Sequence, residues 1–244
     1  MRPVRRGPSP QATDYQNYRD AFPDLLSRTG DYCSFCERRI PTNLAVEHLQ
    51  PKDGPHGRPD LIGRWDNLLL GCVNCNSTKG AKRVVLADIL LPDRDNTFVA
   101  FDYSEDGSVA PAAGLTSDLR RIAQASLALT GLDKRVSPAM DANGRMLILD
   151  RVSQRMEAWL QARDSRQELD AAPDNLALRR QIARTARFCG YFSIWMKVFE
   201  GDADMRNRLI DAFVGTRESG CFDANGQAVT PAPNPDGLPS GRKL

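Results

Sequence analysis

The chain has 244 residues, of which 41% are hydrophobic, and this is enough to bury a sizeable core in one or two domains. It has no apolar run long enough to span a bilayer, and no apolar stretch follows the basic segment 1–10, so we expect neither a membrane helix nor a secretory signal and place the protein in the cytoplasm. The formal net charge is only +2, which excludes a strong overall attraction to nucleic acid and leaves only local basic surfaces.

The first predicted element is a helix over residues 13–28 that Gly30 ends. Its apolar residues have the irregular three- and four-residue spacing of one helix face and are Tyr15, Tyr18, Phe22, Leu25 and Leu26. We expect the aromatic members to pack in the core rather than to stack on nucleobases. The helix leads directly into the first of two cysteine pairs.

Two C-x-x-C pairs follow, one at Cys33 and Cys36 and the other at Cys72 and Cys75. Two such pairs can supply the four thiolates of one tetrahedral zinc site. A disulfide framework is disfavoured in the cytoplasmic setting that we expect. The pairs are further apart than in a usual zinc ribbon, so the interval between them must contain structure that the metal holds at both ends.

This interval predicts two short strands and a helix. Residues 45–49 favour a strand, and the two-residue period of a strand places Glu47 and His48 on opposite faces. Residues 68–70 form an apolar run short enough for a second strand. Residues 75–79 favour the first turn of a helix, because Asn or Ser there can satisfy free N–H groups.

Beyond the second cysteine pair, we expect residues 81–91 to be a helix or an apolar connector. Residues 98–103 favour a strand that turns at residues 105–108 into a hairpin. A helix capped by Ser117 follows, with its apolar face inward and Gly131 at its end. We expect these elements to be scaffold.

The C-terminal part is predicted to be mainly helical. After a turn at residues 141–144, an apolar stripe favours a helix that ends before Arg163, with Met156 and Trp159 in the core. The stripe consists of Leu149, Val152, Met156, Trp159 and Leu160. A helix over residues 175–199 carries a basic face, which is either a partner-binding or backbone-binding surface or an ordinary solvated face. Residues 202–214 favour a last helix, and residues 221–244 a Pro- and Gly-rich loop or disordered tail.

Four short patterns in residues 31–85 occur together and in a fixed order: C-x-x-C-E from Cys33, E-H-x-x-P from Glu47, W-x-N-L from Trp65 and C-x-x-C-N-x-x-K-G from Cys72. The segment resembles the HNH endonuclease family, which has a ββα-metal fold. The resemblance implies an α+β protein with this core inside a mainly helical shell. It also implies metal-dependent hydrolysis of phosphodiester bonds in nucleic acid, with DNA as the expected substrate.

The resemblance further implies a role for each polar residue of the motif. His48 would be the general base that activates water, and Asn67 would orient its ring through a hydrogen bond. Glu47 and Asn76 would offer oxygens to one divalent cation. Many family members have His where this chain has Asn76, and an oxygen-rich donor set favours Mg2+ or Mn2+, separate from the structural zinc on the cysteines.

Substrate contacts would come from basic residues at the end of the motif. Lys79 and Lys82 would hold the phosphate backbone, whereas Arg83 is expected to be solvated. Without the resemblance, Asn67 could be an ordinary turn residue, Asn76 a helix cap and the lysines a solvated helical turn.

The full pattern, together with a largely helical C-terminal part, also resembles a narrower group, the HNH components of bacterial anti-phage systems such as Septu and retron-associated cassettes. This resemblance implies a defence effector that works with a regulatory ATPase partner. Two other classes stay open: a zinc-stabilised module that binds nucleic acid or protein without cutting, and a structural subunit whose basic helix docks another protein. We expect four regions: an N-terminal arm and helix (1–30), the nuclease core (31–85), a mainly helical region (86–220) and a tail (221–244).

Overall fold

A computed structural model describes residues 1–134 and 151–244, so the predicted turn at residues 141–144 and Leu149 lie outside the described residues. Within these two ranges the chain is α+β, as predicted, with seven α-helices and four short β-strands. The helices are α1 (Phe22–Thr29), α2 (Val73–Lys79), α3 (Ser117–Thr130), α4 (Arg151–Ala171), α5 (Leu176–Cys189), α6 (Phe192–Val198) and α7 (Ala203–Ala212). The strands are β1 (Ala45–His48), β2 (Leu68–Gly71), β3 (Phe101–Tyr103) and β4 (Val109–Pro111).

The first sheet contains the two strands predicted between the cysteine pairs. β1 and β2 are antiparallel, with Ala45 opposite Gly71 and His48 opposite Leu68. All four residues of β2 are buried, which agrees with its purely apolar sequence. α2 follows β2 directly, so the order strand, strand, helix is the predicted one.

The start of α2 differs in detail from the prediction. The helix begins at Val73, and its N-cap is Cys72, whose sulfur accepts a hydrogen bond of 3.4 Å from the backbone N–H of Cys75. Asn76 and Ser77 therefore lie inside the helix rather than at its cap. The cysteine pair that was expected to bind metal also starts the helix.

The second hairpin and the helix after it agree well with the sequence. β3 pairs with β4, although it begins at Phe101 rather than at residue 98. α3 begins at Ser117, but its cap is the preceding Thr116, whose hydroxyl accepts from a backbone N–H of the first turn. Gly131 ends α3 in the left-handed conformation that was predicted, with a φ of 66°.

The helix predicted over residues 13–28 is shorter than expected, and the segment 81–91 is not a helix. α1 begins at Phe22 because Pro23, which has no N–H to donate, fits the first turn of a helix. The segment Tyr18–Ala21 before it is a 3-10 turn, and Gly30 ends the helix as predicted. Residues 81–91 form the connector that was the second alternative, with a single 3-10 turn.

α4 continues through the charged segment at which it was expected to end and stops only at Ala171. A helix accommodates charged residues well when their side chains project to solvent. Arg166 also pairs with Asp170, one turn later, at 2.7 Å. The prediction that Met156 lies in the core is wrong, because its side chain is 41% exposed, whereas Trp159 packs against the core as predicted.

The helix predicted over residues 175–199 is two helices, α5 and α6, separated at Gly190 and Tyr191. Gly190 has a φ of 77°, and a Cβ there would lie only 2.8 Å from the carbonyl oxygen of Glu37 and the backbone nitrogen of Arg39. The chain therefore breaks where the first cysteine loop packs against it.

Two clusters of buried apolar side chains form the core. One surrounds β1, β2, α1 and α3, and the other joins α4, α5, α6 and α7. The segment over residues 221–244 contains no helix or strand, but it packs on the core through buried Phe222, Ala232 and Leu244, so it is not a disordered tail. Among the helices of the described residues, none has both the length and the apolar character needed to cross a bilayer.

Candidate functional site

The four predicted zinc ligands converge at one point of the fold. Cys33 and Cys36 lie in the loop after α1, and Cys72 and Cys75 lie where β2 meets α2. All four are buried, their sulfurs lie within 4.8 Å of one another, and those of Cys36 and Cys72 are 3.8 Å apart. A tetrahedral site with Zn–S bonds of about 2.3 Å places its sulfurs about 3.8 Å apart. The cluster therefore fits one zinc ion.

Backbone and side-chain groups donate hydrogen bonds to two of these sulfurs. The backbone N–H of Cys72 donates to Cys33 Sγ at 3.4 Å, and the guanidinium of Arg151 donates to Cys75 Sγ at 3.3 Å. Hydrogen bonds among the four sulfurs hold the pKa of Cys72 well below its usual range and raise the pKa values of Cys36 and Cys75, so negative charge is placed first on Cys72. A metal bound here would fasten the start of α2 to the loop after α1.

His48 lies at the end of β1 with its ring held on two sides. Its Nε2 is 3.0 Å from the carbonyl oxygen of Ile62, and the ring of Tyr18 meets it edge-on with 4.6 Å between centroids. Because a carbonyl oxygen only accepts, Nε2 carries the proton, which leaves the lone pair of Nδ1 free in the neutral ring. Burial lowers the pKa of His48 and so favours this neutral form. The ring is in the state that a general base needs.

Asn67 does not bond to the His48 ring, so the predicted contact is wrong. Its Nδ2 donates to the carbonyl oxygens of Gln50 at 3.1 Å and Leu61 at 3.3 Å, and its Oδ1 accepts from the N–H of Gln50 at 2.8 Å. These bonds tie the exit of β1 to the segment that presents the carbonyl of Ile62. Asn67 therefore holds the backbone on either side of His48 rather than the His48 ring itself.

Glu47 and Lys79 form a buried ion pair between β1 and α2. Lys79 Nζ is 2.9 Å from Glu47 Oε1, and the two side chains are 4% and 3% exposed. Burial raises the pKa of Glu47, although Lys79 opposes this effect. Lys79 occupies Oε1 in this conformation, so a cation at this oxygen would have to share it with Lys79 or displace Lys79.

The remaining predicted residues lie on α2 and just beyond it. Asn76 is half-buried and lies one turn before Lys79, on the same face of the helix. Its amide oxygen and the carboxylate of Glu47 are hard donors of the type that Mg2+ and Mn2+ prefer. Lys82 and Arg83 are exposed and line a surface groove of about 480 Å³. Of the two lysines predicted to meet substrate, only Lys82 is accessible in this conformation.

Tyr18 is a site residue that the sequence did not reveal. Besides contacting His48, its hydroxyl accepts a hydrogen bond of 3.3 Å from Lys52, whose ammonium lies 4.9 Å from the ring centroid. Burial acts to raise the pKa of Tyr18, but Lys52 and Arg19 together lower it overall. No spacing in the sequence connects this turn with the end of β1, although Lys52 follows the histidine motif closely.

A buried charge network holds the turn that carries Asn67. The guanidinium of Arg6 donates to three carbonyl groups of this turn and of β2, and pairs with Asp93 at 2.8 Å. Asp93 also accepts from Arg94 at 3.0 Å, and Arg94 donates to the carbonyl of Asp66 at 3.1 Å. Against the effect of burial, Arg6 and Arg94 hold the pKa of Asp93 below its usual range. No sequence pattern pointed to this network.

Comparison with known proteins connects this geometry to a family. The sequence model of the HNH endonucleases matches residues 32–82. This range contains the four cysteines and the polar residues on or near β1, β2 and α2 described above, here called the β1–α2 site: Glu47, His48, Asn67, Asn76, Lys79 and Lys82. Tyr18 lies outside it.

Two known proteins resemble longer stretches. A protein of Vibrio cholerae serotype O1 biovar El Tor, named as the candidate HNH endonuclease of retron Vc95, is 25% identical over 128 residues, which are 50% of this chain and 62% of that protein. The Septu protein PtuB of Bacillus thuringiensis is 34% identical over 89 residues, which are 34% of each chain. The matched region thus spans less than two thirds of either relative.

Proposed function

This chain contains an HNH endonuclease domain at residues 32–82, and from it we propose that the protein is a metal-dependent nuclease that hydrolyses phosphodiester bonds of DNA. One observation carries the proposal. At the end of β1, a neutral His48 ring, whose Nε2 is held by the carbonyl of Ile62, is adjacent in sequence to Glu47, a buried carboxylate that pairs with Lys79. A base and a cation ligand are the two groups that hydrolysis of a phosphodiester needs most.

His48 would act as the general base. Its Nδ1 would take a proton from the water that attacks phosphorus, while Nε2 stays bonded to the carbonyl of Ile62 and spreads the positive charge of the ring. The contact with Tyr18, and the hydrogen bonds from the Asn67 side chain to backbone carbonyl groups nearby, would keep the ring from rotating. The P–O bond to the leaving oxygen breaks as the water oxygen bonds to phosphorus.

Glu47 and Asn76 would hold the catalytic cation, Mg2+ or Mn2+, which supplies positive charge to the transition state and to the leaving oxygen. Lys79 now neutralises Glu47 and would have to share or leave it. Once released, Lys79 would join Lys82 in contacting the phosphate backbone, as the family resemblance implies. The zinc on the four cysteines is structural, because four thiolates leave no coordination position for substrate.

The names of the two relatives suggest a biological setting. One belongs to a retron and the other to the Septu system. We propose that this protein is the effector of a bacterial anti-phage system, acts in the cytoplasm and is controlled by a regulatory ATPase partner. A partner would also supply substrate affinity that a net charge of +2 does not.

The closed state of the site favours one alternative, a zinc-stabilised module that binds nucleic acid or protein without cutting. Glu47 and His48 are only 2% and 6% exposed, and Lys79 lies against the carboxylate that a cation needs. A site locked in this state would not reach a phosphodiester bond.

Cleavage assays separate these functions. Supercoiled plasmid and total tRNA are incubated with Mg2+ or Mn2+ and with wild type, His48→Ala or the matched control His56→Ala, whose histidine is exposed in the loop after β1. We expect wild type and His56→Ala to cut plasmid equally and His48→Ala to be slower by a factor of about 100 or more.

Two results would change the assignment. Cleavage of tRNA but not of plasmid would move the substrate to RNA. Zinc-loaded wild type that cuts neither substrate, alone or with its genomic neighbours, would leave the binding module as the function.

A further inference from the structure

One face of α5 is basic and has no acidic partner among the residues that the structure describes. The 14 residues of this helix include four arginines and no acidic residue. Arg179 pairs with Asp202 at 2.9 Å, whereas Arg180, Arg184 and Arg187 are exposed and form no ion pair within the described residues. In a chain with a net charge of +2, three unpaired arginines on one helix are a local concentration of positive charge.

An exposed aromatic ring lies on the same face. At about 100° per residue, Arg180, Arg184, Arg187 and Phe188 fall within an arc of about 100°. Phe188 is 57% exposed, and the buried residues of α5 lie on the opposite side of the helix. The arginines extend over about 10 Å of helix axis.

Two guanidinium groups lie near the ring of Phe188. The central carbon of Arg39 lies 4.9 Å from the ring centroid and that of Arg187 lies 5.3 Å from it. Arg39 also pairs with Asp31 at 2.9 Å, which holds it in place beside the ring. Such a surface suits a ligand that alternates negative charge with flat rings, because nucleobases stack on aromatic side chains and on guanidinium planes.

We propose that this α5 face, formed by Arg39, Arg180, Arg184, Arg187 and Phe188, binds a single-stranded stretch of nucleic acid. The arginines contact phosphates and Phe188 stacks on a base. The strand is unpaired because the bases of a duplex already stack on one another and offer no free face. This inference rests on the proposed nuclease function and extends it to the form of nucleic acid that the protein holds.

Direct hydrogen bonds join the α5 face to the nuclease core. The hydroxyl of Tyr32 donates to the carbonyl of Arg187 at 2.7 Å, and the N–H of Tyr191 donates to the carbonyl of Glu37 at 3.0 Å. Tyr32 and Glu37 flank the first cysteine pair. A strand bound on the α5 face is therefore held in a fixed position relative to the zinc cluster and the β1–α2 site.

Binding is measured without cleavage, in zinc-loaded His48→Ala protein with no other divalent metal added. The probe is a fluorescently labelled single-stranded DNA oligonucleotide, followed by anisotropy at several salt concentrations. A matched probe carries abasic sugars, so that it keeps the phosphates and lacks the bases.

The triple variant Arg180→Gln/Arg184→Gln/Arg187→Gln tests the phosphate contacts. We expect its Kd to rise about ten-fold or more at low salt and the slope of log K against log salt to fall by about 2, since each phosphate contact on a single strand contributes about 0.7. The control Arg163→Gln/Arg166→Gln/Arg217→Gln removes the same charge from arginines that already face Glu105, Asp170 and Asp211. Its Kd should stay within about two-fold of the parent protein.

Phe188→Ala tests the stacking contact. We expect the Kd for the normal oligonucleotide to rise about five-fold or more and the Kd for the abasic probe to be unchanged. Equal loss on both probes would overturn the stacking role of Phe188, and with it the preference for a single strand.

The proposal is also overturned if the parent protein binds duplex more tightly than single strand, or if the triple variant binds like its control, as a protein-docking face would. These outcomes are separable from the nuclease proposal. Wild type that cuts DNA while the α5 variants bind normally contradicts this inference alone. Binding that changes as expected, with no cleavage under any condition, contradicts only the nuclease assignment.

Discussion

Asp93 and Glu47 are both buried carboxylates that face cationic side chains, but their pKa values are shifted in opposite directions. Asp93 accepts hydrogen bonds from Arg94 on both oxygens and pairs with Arg6 at 2.8 Å, and its pKa is lowered. Glu47 pairs with Lys79 through one oxygen and has a raised pKa because burial dominates.

The difference agrees with different roles for the two carboxylates. A carboxylate whose oxygens are all satisfied holds its surroundings in place, as Asp93 does for the turn before β2. A buried carboxylate with a raised pKa is a candidate for a functional site. The network around Asp93 thus holds the turn that carries Asn67, and Glu47 is the carboxylate that we propose for a cation.

The largest expected effect comes from the cysteine cluster, which joins the two regions. Cys72→Ser removes one thiolate and the cap of α2, and structural zinc is worth about 10–16 kcal/mol in small zinc domains. We expect bound zinc to fall from about one ion per chain to almost none and the cooperative thermal transition to be lost. Cys189→Ser, which changes a half-buried thiol outside the cluster, is the control and should keep both zinc and transition. A zinc-free Cys72→Ser protein that unfolds like wild type would show that the cluster does not support the fold.

Asp93→Asn tests the structural carboxylate. Breaking a buried charge network costs about 3–5 kcal/mol, so the free energy of unfolding at neutral pH should fall by that amount. Because folding lowers the pKa of Asp93, its contribution is present above the unfolded pKa of about 3.9 and is lost as pH falls through the folded pKa. Urea unfolding curves of wild type and Asp93→Asn should therefore converge in acid.

Asp60→Asn is the matched control for this measurement, because Asp60 forms an exposed ion pair with Arg58. It should unfold like wild type at neutral pH. If Asp93→Asn also unfolds like wild type, the network of Arg6, Asp93 and Arg94 does not stabilise the fold.

Tyr18→Ala should have the smallest effect, and it should act on the rate of DNA cleavage through the contact with His48. Edge-to-face aromatic contacts are worth about 0.5–1.5 kcal/mol, so losing the contact with His48 should slow DNA cleavage by about two-fold to ten-fold. Tyr18→Phe keeps the ring and loses only the hydroxyl that Lys52 contacts, so it should cut at nearly the wild-type rate. Equal rates for the Ala and Phe variants would mean that Tyr18 does not position the base.

Much of the site could be predicted from the sequence because its information is local. The cysteine spacing identified the cluster, and the strand-like segment 45–49 and the short apolar run 68–70 located β1 and β2. The contacts of Asn67 and the pairing of Glu47 with Lys79 could not be predicted, since both depend on how strands, loop and helix meet in three dimensions. Composition and spacing give the residues of a site but not the atoms that they contact.

Outside the motif, the sequence was less informative for identifiable reasons. The break between α5 and α6 at Gly190 follows from a close approach of the first cysteine loop, for which an isolated glycine in a helical pattern was the only signal. Met156 has helical spacing with its neighbours and yet is largely exposed, because the buried face of α4 passes through Ala158, Ala162 and Leu169 instead. Arg6 is buried by residues far along the chain, and no periodicity describes such contacts.

The binding of Mn2+ by the zinc-loaded protein tests most directly whether Glu47 is the carboxylate kept for a cation. Calorimetric titration compares wild type, Glu47→Gln and the control Asp60→Asn, after equal zinc content and similar unfolding curves have been established for all three. Wild type and Asp60→Asn should each bind about one Mn2+ per chain, and Glu47→Gln should bind none while it keeps its zinc. Equal binding of Mn2+ by Glu47→Gln and wild type would contradict the assignment of Glu47 and the contrast with Asp93 built on it.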